Sequence, residues 1–314
     1  MDKKTKTHIY GPVPSRRLGR SLGVDVVPFK VCSYDCVYCQ LGSRGKPILE
    51  KRPYIAADEI LSQLSKKLKE GAAADVITIA GSGEPTLNSE IGALIRGIKK
   101  MTDIPLVVLT NGSMLSDKAV RQSLMEADVT APSLDAHSPG VFKEINRPHP
   151  ALDFEAVLGG LSDFRKEYKG RIWLEIFVLE GINDTPADAE KFRPHIRRIR
   201  PDKIHINTAA RPPAEAFAKK ASQKSLEDFR KILGEGAEII ASFREKGRAR
   251  AGKDLGPDIL NMLARRPCTA ADMADGLNAH ISEVLKYLEP LVEARRAVRE
   301  FRGKEAYYRP AREK

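Results

Sequence analysis

The sequence predicts an α/β protein in which a partial (β/α)6 TIM-like barrel precedes a C-terminal winged-helix domain. Short β-rich runs alternate with amphipathic helical segments between residues 22 and 208, which indicates repeated βαβ units and a mostly parallel sheet. From residue 257 the pattern changes to three helical segments and one alternating segment, which favours a winged helix. We therefore expect a barrel domain over 1–250 and a winged-helix domain over 251–314.

The strands and helices of the expected barrel are predicted from the spacing of apolar residues along the sequence. Apolar and β-branched runs that end in polar turns predict strands, whereas apolar residues three and four positions apart predict helices. Chemistry in such barrels collects at the carboxyl ends of the strands. The expected strands are 22–27, 75–80, 106–110, 128–132, 171–179 and 203–208, and the expected helices are 57–69, 89–100, 116–126, 154–168, 188–198 and 225–245.

The C-terminal elements are read in the same way. Apolar periodicity predicts helices over 258–265, 270–277 and 281–293. The stretch AVREFRGKEAYYRP alternates around Gly303, which predicts a hairpin.

Composition sets broad limits on function. The chain has 314 residues, of which 42% are hydrophobic and 30% charged, enough for a large core. It has no run of about 18 apolar residues, and MDKKTKTHIYG lacks the apolar part of a secretory signal, so we expect a cytoplasmic protein without membrane insertion. Four cysteines do not make a disulfide framework in a chain of this length.

The net charge of +11 indicates attraction to polyanions such as nucleic acid. Any single basic cluster is also consistent with a solvated face balanced by neighbouring acids.

The stretch VCSYDCVYCQLG holds three of the four cysteines, Cys32, Cys36 and Cys39. A structural zinc site needs four ligands, and the remaining cysteine, Cys268, lies in the other expected domain. The spacing also differs from that of bacterial ferredoxins, which carry a fourth cysteine nearby. Three thiolates can hold three irons of a [4Fe–4S] cluster, which leaves the fourth iron open for a ligand that is not protein.

This spacing, with the aromatic Tyr38 before the third cysteine, resembles the radical S-adenosylmethionine superfamily. The resemblance implies that the open iron chelates the amino and carboxylate groups of S-adenosylmethionine. It also implies reductive cleavage to methionine and a 5′-deoxyadenosyl radical, with the protein supplying binding, orientation and exclusion of water.

Further motifs stand at the expected strand ends. Gly83, Glu84 and Pro85 belong to GSGEP, which resembles the superfamily's GGEP motif and is expected to hold the methionyl amino group. Asn111 in TNG and Ser133 in SLD are expected to contact the same cofactor, as is Tyr38. Each stretch can also be read as an ordinary turn after a strand.

Three residues are expected to contact substrate. Glu175 lies among apolar neighbours in the fifth strand and is expected to point into the barrel, with an orientation towards solvent as the alternative. Asp135 is expected to bind ribose hydroxyls or substrate, and Arg211 to clamp a carboxylate or phosphate. A surface arginine before a proline turn is the alternative for Arg211.

Over residues 8–215 the pattern resembles the Fe–S oxidoreductases related to 4-demethylwyosine synthases, in GPVPSRRLGRSLGVDVVP, GSGEPTLN, LTNGS, PSLDA, INRPHP, LEIFVLEGIND and INTAARPP. The archaeal members carry a second cysteine triplet that engages pyruvate, and the eukaryotic members add a flavodoxin-like domain. Neither feature is present here, so a pyruvate-dependent reaction is not expected.

The expected activity is hydrogen abstraction from an RNA nucleoside, with tRNA favoured by resemblance and charge together. The expected electron donor is of the flavodoxin or ferredoxin type, and the oligomeric state is not predicted. One alternative is a radical enzyme acting on a small molecule or a peptide. Another is a non-enzymatic Fe–S regulator that binds DNA, although the expected recognition helix offers few polar side chains for reading bases.

Overall fold

The computed structural model describes residues 8–15, 17–39, 41, 46–209, 213–240, 255–279, 281–302 and 305–311. Within these ranges, no helix is both long and apolar enough to span a membrane.

An eight-stranded sheet forms the larger part of the molecule. Its spatial order follows the chain from β1 to β8, with β1 antiparallel to β2 and every later pair parallel. Strands β1 and β8 are the two edges of this sheet, so the barrel is partial and open. The strands are β1 (Ile9–Ser15), β2 (Gly19–Asp25), β3 (Val76–Ala80), β4 (Leu106–Thr110), β5 (Val129–Pro132), β6 (Arg171–Val178), β7 (Lys203–Thr208) and β8 (Ala237–Ile239).

In the described part of the chain, seven α-helices connect and cover these strands. Their apolar faces pack on the sheet, where Leu64, Ile95 and Phe164 are almost completely buried. The helices are α1 (Ala57–Lys69), α2 (Ile91–Met101), α3 (Lys118–Ser123), α4 (Pro139–Asn146), α5 (Phe154–Glu167), α6 (Pro186–Ile199) and α7 (Gln223–Leu233).

The C-terminal module, residues 255–311 as far as described, has its own hydrophobic core around Ile259, Met273 and Leu288. Three helices and a small sheet of order β10-β11-β9 follow the predicted sequence of helices and then a hairpin. The winged-helix classification stays a prediction. The elements are α8 (Gly256–Arg265), β9 (Cys268–Thr269), α9 (Ala270–Leu277), α10 (Ile281–Glu293), β10 (Ala297–Arg302) and β11 (Glu305–Pro310).

The C-terminal module packs against β1 through α8 and α9. Arg265 at the end of α8 donates a charged hydrogen bond to Asp25, the last residue of β2. The Arg265 guanidinium also lies 5.1 Å from the centre of the Tyr10 ring on β1. The module therefore covers the β1 edge of the partial barrel.

The six predicted strands are confirmed as β2 to β7, but the prediction of one helix over 225–245 is wrong for residues 234–240. Residues 241–245 lie outside the described residues. Gly234 and Gly236 both have φ of 84°, a conformation that ends a helix, and β8 follows. Strand β1 was not predicted, because Gly11, Pro12 and Pro14 interrupt its alternation.

Candidate active site

The cysteine loop, residues 31–39, follows the carboxyl end of β2. Cys32, Cys36 and Cys39 are half-buried and line a cavity of about 420 Å³ inside the partial barrel. Backbone hydrogen bonds fix the loop: Val37 N donates to the Ile145 carbonyl at 2.9 Å, and Ile48 N to that of Cys32 at 2.8 Å. The three thiols are thus held on one wall of the cavity.

The thiols of Cys32 and Cys36 are shielded from water, which disfavours their charged form. Burial, followed by the charge of Glu84, raises the pKa of Cys32 to about 12. Burial, followed by the charge of Asp135, raises the pKa of Cys36 well above its usual range. Iron binding at these sulfurs must therefore release protons.

Two amide side chains reach the sulfurs. Asn111 Nδ2 lies 3.6 Å from Cys32 Sγ, and Asn146 Nδ2 lies 3.5 Å from Cys36 Sγ. Such donors stabilise negative charge on sulfur, as a cluster thiolate requires.

In the described ranges, no three His, Cys, Asp or Glu side chains are arranged to hold a single metal ion. A [4Fe–4S] cluster makes a different demand, because each thiolate binds its own iron. The donor set therefore fits a cluster.

The turn after β3 lies directly against the cysteine loop. Glu84 N donates to the Val31 carbonyl at 2.9 Å, and Lys30 N donates to the Ser82 carbonyl at 2.5 Å. A Cβ atom on Gly83 would stand 2.0 Å from the Val31 carbonyl oxygen. Only glycine fits this approach, which is why Gly83 lines the cavity as bare backbone.

Glu84 is 2% exposed, and its side-chain hydrogen bonds connect the turn after β3 to the end of β4. Its Oε1 accepts hydrogen bonds from Thr86 and from Thr110 Oγ1 at 2.6 Å, and its Oε2 accepts one from Asn111 N at 2.7 Å. Burial raises its pKa, and these bonds oppose the rise. Both carboxylate oxygens thus have partners in the protein, and its role in binding an ammonium group stays a prediction.

The other predicted cofactor contacts lie near these strand ends. Asn111 follows β4 and donates to Ser33 Oγ at 2.8 Å. Ser133 follows β5, and its backbone forms an isolated parallel β-bridge with that of Glu175 in β6. Pro85 is buried at the start of a short 3-10 turn, so its ring serves the local fold.

Tyr38 and Asp135 form a hydrogen-bonded pair beside the third cysteine, in which Asp135 is buried and Tyr38 is partly buried. The Tyr38 hydroxyl donates to Asp135 at 2.5 Å, and its ring stacks on Phe177 with a centroid distance of 3.8 Å. Asp135 also accepts from Asn146 Nδ2 at 2.8 Å and Phe177 N at 3.1 Å. Burial raises the pKa of Asp135 to about 6. Tyr38 lines the cavity, whereas Asp135 does not line it and instead holds the Tyr38 hydroxyl through a hydrogen bond.

Glu175 faces the cavity, as predicted, but it has a partner that the sequence did not indicate. Arg17, in the turn between β1 and β2, donates a charged hydrogen bond to it. Asn207 Nδ2 lies 3.4 Å from its other oxygen. The Arg17–Glu175 pair therefore links the β1–β2 turn to β6, and both side chains line the same cavity as the three cysteines. Arg211 lies outside the described residues.

Sequence reasoning missed the contribution of the C-terminal module. Met262, Arg265 and Arg266 line the cavity together with Tyr10 of β1 and Ile240 after β8. No local pattern marks these residues, because the contacts join positions more than 200 apart in the chain.

A sequence model of the Radical SAM superfamily matches residues 26–192, more than half of the chain. The protein belongs to the radical SAM superfamily, and it is an enzyme whose cofactors are a [4Fe–4S] cluster and S-adenosylmethionine.

Among the relatives, the UPF0026 protein of Methanocaldococcus jannaschii is 34% identical over 242 residues, which cover 76% of this chain and 74% of that one. A Brachyspira hyodysenteriae protein named GTPase Obg is 39% identical over 93% of this chain, which spans only 43% of its length. A probable dual-specificity RNA methyltransferase RlmN of a Thermotoga species is 27% identical over 223 residues, 69% of this chain and 62% of that one.

Solved structures show the same fold. A radical SAM methyltransferase from Sphaerobacter thermophilus superposes with a TM-score of 0.55 at 19% identity, covering 70% of this chain and 65% of that one.

Proposed function

We propose that this radical SAM enzyme modifies a nucleoside of RNA, with tRNA the favoured substrate. The proposal rests chiefly on one observation: the three cysteines of the loop share one cavity with Arg265 and Arg266 at the end of α8. The net charge of +11 and the likeness to an RNA methyltransferase support an RNA substrate. The resemblance to 4-demethylwyosine synthases supports the same substrate class.

The residues would divide the work as follows. Cys32, Cys36 and Cys39 would hold the cluster, and Gly83 with Asn111 would line the place where S-adenosylmethionine binds. The chemistry supplied when both cofactors are bound is a 5′-deoxyadenosyl radical that abstracts hydrogen. The Tyr38–Phe177 stack would exclude water from this region, because both rings are packed face to face beside the cysteines.

The size of the cavity limits what can enter. At about 420 Å³ it is at the small end of ligand pockets. An RNA target base would have to leave its stack to reach it. A flavodoxin or ferredoxin is the expected electron donor.

The experiment is anaerobic reconstitution with iron and sulfide, reduction with S-adenosylmethionine present, and chromatography of 5′-deoxyadenosine. Bulk tRNA from a strain lacking the gene should accelerate its formation, and one tRNA nucleoside should change mass. A triple Cys32→Ala, Cys36→Ala, Cys39→Ala variant should form none. Cys268→Ala is the matched control, since this thiol is buried in the core of the C-terminal module.

Two results would contradict the proposal. Identical nucleoside profiles in tRNA from the deletion strain and the parent would remove RNA as substrate. Acceleration by a peptide or metabolite fraction but not by tRNA would favour the small-molecule or peptide alternative.

A further inference from the structure

The helix α8 packs against β1, one of the two edge strands of the partial barrel. Arg266, the residue after this helix, has an extended backbone with φ of −166° and ψ of 153°. Its N–H donates to the Met262 carbonyl at 3.2 Å, which fixes its backbone to the last turn of α8. Its side chain lines the cavity on the side of Tyr10.

The cationic side chains that line the cavity differ in their partners. Arg17 pairs with Glu175, Arg265 pairs with Asp25, and Lys30 Nζ lies 3.6 Å from Asp35. Arg266 forms no ion pair with the described part of the chain. Its Nη2 atom is buried and lacks a hydrogen-bond partner there.

In a folded protein, a buried hydrogen-bond donor of a charged group that lacks an acceptor lowers the stability of the folded state. Arginine carries five donors in a planar fork that matches the oxygens of a phosphate. A ligand that brings such oxygens to the wall formed by α8 would satisfy Nη2 and balance the charge.

We propose that Arg266 binds a phosphate group of the substrate RNA, so that the C-terminal module holds the backbone of the nucleotide whose base enters the barrel. This inference rests on the proposed RNA function and adds the residue and the group that recognise the substrate. Tyr10 and Arg265 form the adjoining surface, since the Arg265 guanidinium lies over the Tyr10 ring.

The test compares wild type with Arg266→Gln and Arg266→Lys, with Arg296→Gln as the matched control. Arg296 is an exposed arginine of the same module and does not line the cavity. Binding of labelled bulk tRNA to the reconstituted protein is measured by fluorescence anisotropy between 50 and 200 mM KCl, values that span the usual range for such titrations.

Arg266→Gln should weaken binding about tenfold and lower the salt slope by about one. Arg296→Gln should stay within about twofold of wild type, and Arg266→Lys should recover part of the loss because it keeps the charge. Inorganic phosphate should compete with tRNA, whereas acetate at equal ionic strength should not. Competition by acetate alone would overturn the assignment of a phosphate.

Two further measurements separate the possible failures. Formation of 5′-deoxyadenosine without added substrate should be equal in wild type and Arg296→Gln, and the melting temperature of Arg266→Gln should be unchanged or higher, because an unsatisfied charge is removed. A lower melting temperature would show that Arg266 has a structural role and would overturn the inference.

If wild type binds tRNA and Arg266→Gln binds it equally well, the inference fails and the RNA function stands. If wild type forms 5′-deoxyadenosine but does not bind tRNA, the RNA function fails and the inference fails with it.

Discussion

Gly83 is the point where the turn after β3 comes closest to the cysteine loop. Gly83→Ala would place a methyl group 2.0 Å from the Val31 carbonyl oxygen, and backbone atoms on both sides must move. We expect this overpacking to cost about 1–3 kcal/mol and to displace Cys32. Iron per chain after reconstitution should fall well below the wild-type value.

The control for this variant is Gly140→Ala. Gly140 lies in α4, and an added Cβ there meets no atom within 4 Å. Its iron content should equal that of wild type. Equal iron content in Gly83→Ala would mean that the loop accommodates the methyl group.

His205 offers a titration that can be followed in the native protein. Burial, followed by the charge of Arg17, lowers the pKa of His205 to about 4. Its ring lies 5.4 Å from that of Trp173, the only tryptophan in the chain. Trp173 fluorescence should therefore change with a midpoint near pH 4, and His205→Gln should abolish the change.

The same shift affects stability. Because the folded protein binds this proton less readily than the unfolded chain, stability should fall as pH drops from about 6.5 towards 4, by about 2 kcal/mol at pH 5. Urea unfolding at pH 7 and pH 5 measures the effect. His205→Gln should show a smaller difference between the two pH values, and an equal difference would contradict the assignment.

At the scale of elements, the β1–β2 hairpin is tied across the barrel to β6 by Arg17 and Glu175. These side chains are 14% and 15% exposed, so their ion pair is worth more than one at the surface. A double-mutant cycle with Arg17→Gln and Glu175→Gln should give a coupling energy of about 1–3 kcal/mol in urea unfolding without substrate.

The surface pair Lys166–Asp163, at 65% and 49% exposure, provides the comparison for this cycle. It should give at most about 0.5 kcal/mol. Similar coupling energies for the two pairs would show that the hairpin is held by packing rather than by charge.

Periodicity predicted β2 to β7 because these central strands carry buried apolar residues, continuously in β4 and in alternation in β3 and β7. The two edge strands, β1 and β8, were not predicted, each for a different reason. Prolines break the pattern of β1, and β8 has only three residues. The same limit applies to the site: the cysteines are neighbours in sequence, whereas Glu175 meets a partner 158 positions away.

At the scale of the whole molecule, the Arg265–Asp25 pair joins the C-terminal module to the barrel. Asp25 is 2% exposed, and its carboxylate also accepts hydrogen bonds from Ser82 N at 3.0 Å and Ser82 Oγ at 2.6 Å. Arg265→Gln would leave this carboxylate poorly compensated and should destabilise the contact by about 2–4 kcal/mol. Hydrogen exchange should then quicken in α8 and β1 but not in β5.

The matched control is again Arg296→Gln, which should leave exchange in α8 unchanged. Uniform faster exchange throughout Arg265→Gln would mean that the pair stabilises the barrel itself rather than its contact with the module.

Two separate hydrophobic cores meet at the cavity, one carrying the cysteine wall and the other carrying α8. Substitutions at the end of α8 can therefore alter the outer wall of the cavity without repacking the strands that hold the cysteines. If Arg266 binds the substrate as proposed, a lineage that kept the barrel and exchanged the residues around Arg266 would change its target while retaining its chemistry. In this fold, new specificity can evolve at one end of a single helix.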